Sequence, residues 1–150
     1  MNSDFKELLS ILNDSQVEYL VVGGYAVIFH AEPRYTKDID LWILPSRENA
    51  LRLRDALVRF GAWVEGMTLE HFCTEQTMFQ IGLPPCRVDF LTSVPGLEFT
   101  AAYNDRVVSD VAGVSIPFLS RKDLIQAKRT AARPQDLLDL AALKQPGDLS

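Results

Sequence analysis

The sequence predicts an α+β fold: a mixed, partly antiparallel β-sheet with helices packed on it. Three observations carry that expectation. Short apolar runs rich in β-branched and aromatic residues, beginning with Val17-Glu18-Tyr19-Leu20-Val21-Val22, read as strands. Amphipathic stretches opened by a capping residue and closed by glycine or proline read as helices. Ala112-Gly113 between two apolar runs reads as a hairpin turn, so part of the sheet is antiparallel.

In chain order, Ser3 caps a first helix over Asp4 to Asn13, with Phe5, Leu8, Leu9 and Leu12 as its apolar face. The strand Val17 to Val22 ends in Gly23-Gly24, and Tyr25 to His30 begins a helix. Pro33 stops that helix, leaving a loop through Thr36. Asp38 to Leu44 is a strand closed by Pro45. Ser46 caps a helix over Arg47 to Phe60, which Gly61 ends. Residues 62 to 75 carry little pattern beyond a short helix near Leu69 to Phe72. Thr77 to Gly82 and Arg87 to Leu91 pair as antiparallel strands across Leu83-Pro84-Pro85, and a short helix follows over Gly96 to Asn104. Val107 to Val111 and Val114 to Phe118 form the hairpin. Ser120 caps a helix over Arg121 to Ala132, and Pro134 opens the last helix at its first position.

Composition narrows the function classes. The 150 residues suit one domain, with ordinary hydrophobic (47%) and charged (23%) fractions. A net charge of −5 disfavours a general nucleic-acid binder, which would carry a broad basic surface. No apolar run approaches the ~20 residues that span a bilayer, and Met1 to Lys6 lack a basic n-region, so a cytoplasmic location without membrane is expected. Cys73 and Cys86 make no disulfide framework.

The chemistry concentrates in two motifs. Asp38-Ile39-Asp40 on a strand puts both carboxylates on one face, with Cα atoms about 6.5–7 Å apart. Their repulsion is roughly 0.6 kcal/mol in water and about 2.5 kcal/mol at an effective dielectric of 20. A divalent cation turns that repulsion into binding. Upstream, strand, Gly23-Gly24 turn and helix N-terminus make the arrangement whose free backbone N–H groups attract phosphate. No Gly-Lys-Ser/Thr follows and no third glycine, so this is neither a Walker A loop nor a dinucleotide fingerprint. Asp89, between Val88 and Phe90, is a third acid on an otherwise apolar strand. Three acids on two strands are the usual set for Mg²⁺ ions that clamp nucleotide phosphates. The other reading of Asp89 is a structural acid paired with Arg87 or Arg121.

These residues carry a family likeness. Gly-Gly-x-Ala, then Arg34-x-Thr36-x-Asp38-Ile-Asp40-Leu, then Val88-Asp89-Phe90 resembles the nucleotidyltransferase superfamily of the polymerase-β type. Within it the chain is most similar to minimal bacterial enzymes related to the AbiE abortive-infection toxin. The commoner minimal branch has Gly-Ser and Ser-Asp where this chain has Gly23-Gly24 and Lys37-Asp38. The run from Lys128 through Arg133-Pro134-Gln135-Asp136 to Asp139 also resembles the toxin branch, with Gln135 in place of its usual lysine. The likeness spans roughly residues 17 to 143 and implies a nucleotidyltransferase-like sheet.

It further implies an enzyme that moves an NMP from an NTP to a hydroxyl on RNA (its 3′ end) or protein. Two Mg²⁺ ions would be held by Asp38, Asp40 and Asp89, and the nucleotide by Gly23, Gly24, Arg34, Thr36 and Lys128. An antitoxin or other partner protein belongs to the same implication. The alternative is a catalytically silent nucleotide-binding or interaction domain of a two-protein system.

Several residues keep two readings. Arg34 either steadies a triphosphate or covers the sheet edge. Thr36 binds nucleotide or, more simply, bonds to the backbone of its own turn. Lys128 faces phosphates or is a solvated lysine in a basic stretch, 121 to 133. Asp136 is an active-site or ion-pairing residue, or an acid favoured by its helix dipole, as is Asp139. His30 and His71 lack partners at metal spacing and read as structural. Trp42 is expected to point away from the metal.

Overall fold

The computed structural model describes residues 1–31, 36–63 and 65–143. Six strands form one mixed sheet: β1 (Tyr19–Val22), β2 (Asp38–Ile43), β3 (Met78–Leu83), β4 (Cys86–Leu91), β5 (Val107–Val111) and β6 (Val114–Phe118). Their order is β3-β4-β2-β1-β6-β5. β1 runs antiparallel to β2, β3 to β4 and β5 to β6, while β2 with β4 and β1 with β6 are parallel. The α+β expectation holds, including both antiparallel pairs.

Strand parity divides the molecule in two. Tyr19, Val21, Ile39, Leu41, Ile43, Val88 and Phe90 face a core shared with α1 (Ser3–Asp14), α3 (Arg47–Phe60) and the short α4 (Glu70–Cys73). Leu20, Val22 and Trp42 face the opposite side, against α2 (Gly23–His30), α5 (Phe99–Asn104), α6 (Arg121–Ala131) and α7 (Pro134–Leu143). Fully burying each large apolar side chain contributes roughly 1.5–3 kcal/mol, so the two cores fix the pleat and its register. Asp38, Asp40, Arg87 and Asp89 share the parity of the second face.

Three local expectations need correction. Asn2, not Ser3, caps α1: its side chain accepts from the N–H of Phe5 at 2.8 Å. Both residues are competent caps, and the helix begins one residue earlier. Gly23 and Gly24 are not a turn before α2 but its first two residues. Trp42 does not point away from the acids. Positions 38, 40 and 42 share one side of the strand, and Trp42 packs edge-on against Phe99 in the second core. Elsewhere Ser46 and Ser120 cap their helices as expected, and Gly61 closes α3 in the left-handed conformation.

Candidate active site

Register brings the acids together. Asp40 of β2 lies opposite Asp89 of β4, and Asp38 opposite Arg87. On the other side of β2, Val22 of β1 lies opposite Asp40, so Gly23 starts α2 directly beside that carboxylate. Gly23 has φ +65°, and a Cβ built on it would fall 2.0 Å from Asp40 Oδ2. Only glycine fits there, for its conformation and for the space. The α2 N-terminus has no side-chain cap, which leaves its first N–H groups to a ligand or water.

Burial pushes the Asp40 carboxyl up to about 6, reinforced by the charge of Asp89 and a hydrogen bond with it. Lys128 pulls in the opposite direction. Arg87 balances the other acids. Its Nε donates to Asp89 Oδ1 at 2.8 Å, and its Nη2 lies 3.3 Å from Asp38 Oδ2. Asp89 is therefore paired with Arg87 and not with Arg121, whose Nη2 donates to the carbonyl of Leu143.

Among the described residues, no group of three His, Cys, Asp or Glu side chains is arranged to hold a metal ion as it stands. The donor chemistry nevertheless suits one. Carboxylate oxygens are hard ligands of the kind Mg²⁺ takes, and the Arg87 guanidinium already serves as the cation between Asp38 and Asp89. A metal would have to displace that guanidinium.

Lys128 is buried, so the solvated reading falls. Its Nζ lies 3.1 Å from Asp136 Oδ1 and 3.0 Å from Asp139 Oδ2. Asp136 also accepts from the backbone N–H and the Nε of Arg133, at 3.0 and 2.7 Å. Against the cost of burial, these donors hold the Asp136 carboxyl down at about 2. Asp139 Oδ1 accepts from Gln135 Nε2 at 2.9 Å. Asp136 and Asp139 thus orient the lysine and are not merely dipole acids.

Gly23, Asp40, Lys128, Arg133 and Asp136 line one pocket of about 400 Å³, floored by Val22 and Leu124. Asp38 and Asp89 are tied to it through the sheet. Gly24 is buried within α2. The Thr36 hydroxyl donates to the carbonyl of Asp38 at 3.1 Å, the local bond expected of it. Arg34 lies outside the described residues. His30 bonds the carbonyl of Leu119, a structural role as expected.

Comparison with known proteins decides the family. The family described as "Nucleotidyltransferase of unknown function (DUF6036)" matches residues 2–145. The chain belongs to that family. No curated protein matches it. Among solved structures it is similar to a nucleotidyltransferase candidate from Thermotoga maritima, at 17% identity and a TM-score of 0.61, over 91% of this chain and 88% of that one. It is also similar to an antigenic nucleotidyltransferase-like protein from Paracoccidioides brasiliensis, at 18% identity and a TM-score of 0.57, over 95% and 77% of the two chains. At such identities the likeness shows the fold alone.

The structure settles two features that the sequence offered only as one alternative among others. Arg87 is the first; its position two residues before Asp89 on one strand was the available signal, since i and i+2 share a face. The second is the clamp of Asp136 and Asp139 on Lys128. Their spacing of three places both acids on one side of α7, but only the α6–α7 packing puts Lys128 there.

Proposed function

We propose that this member of the nucleotidyltransferase family is a divalent-metal-dependent transferase that moves an NMP from an NTP to a hydroxyl acceptor. One observation carries the reading: a glycine-started helix N-terminus, Asp40 and a buried lysine line one pocket, and Asp89 lies opposite Asp40 on the adjacent strand. A triphosphate needs donors, and carboxylates need a cation before they tolerate one. Mg²⁺, when bound by Asp38, Asp40 and Asp89, would neutralise the charge of the triphosphate and of the leaving pyrophosphate.

The chain's own residues do the rest. Gly23 lets backbone N–H groups approach phosphate oxygens, and Lys128, fixed by two carboxylates, supplies a positioned positive charge. The acceptor oxygen attacks the α-phosphorus. A new P–O bond forms, the α–β bridging bond breaks, and pyrophosphate leaves. The acceptor's proton goes to Asp89, the acid on the strand beside Asp40.

The likeness of the Lys128 to Asp139 run to the AbiE branch supports a second, separate reading of the acceptor: RNA or protein, with the chain as a toxin restrained by an antitoxin. Incubation of the protein with each α-labelled NTP, Mg²⁺ and cell extract tests the activity. Label transfer with matching pyrophosphate release is expected. Mg²⁺-dependent nucleotide binding without any transfer would leave the silent binding domain instead.

A further inference from the structure

A groove of about 800 Å³ opens beside the smaller pocket, within the range of small-molecule sites. The two are adjacent, because Leu91, Ser93, Val94 and Pro95 line both. The groove follows the face that bears the acids: Trp42 lies two residues beyond Asp40, and Leu91 two beyond Asp89. Two residues along a strand is about 6.5–7 Å, so a molecule in the groove can present a hydroxyl at the carboxylates.

The walls of the two spaces differ in charge. The smaller pocket sets Lys128 and Arg133 against Asp40 and Asp136, so its charges balance. Among the described residues the groove has no lysine, arginine or histidine, and it has Glu75 and Glu98. A polyanion entering it would meet repulsion without a counter-charge. One buried donor is also unmet. Trp42 is 1% exposed, and its indole Nε1 has no hydrogen-bond partner. Thr92 and Ser93 hydroxyls are already engaged with the backbone of residues 74, 76 and 77. An unsatisfied buried donor costs about 1–3 kcal/mol, and the residue that carries it lines the groove.

We propose that the groove is the acceptor site, and that the acceptor is a small hydroxyl compound, uncharged or amine-bearing, not an RNA end. This rests on the smaller pocket taking the NTP phosphates.

The test uses two probes of similar shape and opposite charge, tyramine and phenyl phosphate, titrated into the protein without nucleotide. The readout is the Trp42 indole N–H signal in an ¹⁵N correlation spectrum, assigned with Trp63→Phe. Tyramine should shift it and phenyl phosphate should not. Glu75→Lys, at an exposed position, should weaken tyramine about fivefold, the scale of an exposed charge pair. A shift with phenyl phosphate as large as with tyramine, or no shift with either, overturns the proposal. Since no turnover is involved, a failure here leaves the transferase reading standing, and loss of transferase activity leaves this result interpretable.

Discussion

Gly23 and Asp40 compete for one volume: the Cβ that any other residue would place at 23 falls 2.0 Å from Oδ2 of Asp40. The glycine therefore answers to the carboxylate, apart from the phosphate proposed to meet it. Gly23→Ala should destabilise the protein by at least the ~1–2 kcal/mol of a left-handed non-glycine residue, and should displace Asp40. Adding Asp40→Ala should recover part of that stability but no transfer. Thermal denaturation of the single and double variants reads the coupling. Additive losses would mean that the two side chains do not meet.

Asp40 also sets a pH dependence. Its folded pKa of about 6 lies above the ordinary 3.8, so the folded state holds its proton more tightly than the unfolded chain. Stability then falls as pH rises through about 4 to 6. Asp40→Asn should stabilise the metal-free protein at pH 7 by up to about 3 kcal/mol, with the gain vanishing near pH 4. Denaturation midpoints at the two pH values check this; an equal gain at both would point to a cause other than titration.

Arg87 neutralises Asp38 and Asp89 in the metal-free protein. Arg87→Met should therefore raise the affinity for Mn²⁺ severalfold, because the competing guanidinium is gone. Calorimetric titration of both proteins measures it. Unchanged or weaker Mn²⁺ binding in the variant would make Arg87 a bystander.

Asp89→Asn should keep measurable Mg–NTP binding while transfer drops by roughly 10²-fold or more, the low end of general-base catalysis. Because Asp89 is a partner of Arg87, the variant should gain no stability from losing its charge. Single-turnover kinetics beside nucleotide titration separates the two effects. Intact transfer would confine Asp89 to its ion pair.

Lys128→Ala cannot be a purely kinetic variant. It removes the cation shared by Asp136 and Asp139, 1% and 2% exposed, and leaves Asp136 with Arg133 alone as its charged partner. Breaking such a buried group costs about 3–5 kcal/mol. Urea denaturation should show that loss, with Lys128→Arg retaining more of the stability. A change below about 1 kcal/mol, the range of exposed pairs, would place the lysine in water.

The chain's local chemistry was readable, and its long-range contacts were not. Serine and glycine marked the ends of α3, and alternation alone put Asp38 and Asp40 on one face. The same alternation places Trp42 beside them, so the opposite expectation failed on the strand's own period. The pairing of Asp40 with Asp89 depends on parallel register between strands 49 residues apart, since 89 − 40 = 49. No local pattern sets that register; packing of the whole face does. The burial of Lys128 likewise follows from α7 folding back on α6, which lies beyond any helical periodicity.

Because one sheet face serves the cores of α1 and α3 while the other serves the acids, β2 interleaves two kinds of information at single-residue spacing. A saturation mutagenesis profile along residues 38 to 43 should look like a saw-tooth. Ile39, Leu41 and Ile43 should accept other aliphatic residues and report through protein abundance. Asp38 and Asp40 should accept almost nothing in an activity selection, yet leave abundance near normal. Evolutionary drift along this strand would then be fast at alternate positions and nearly frozen between them, so a single six-residue segment records separately how the fold and the chemistry are selected.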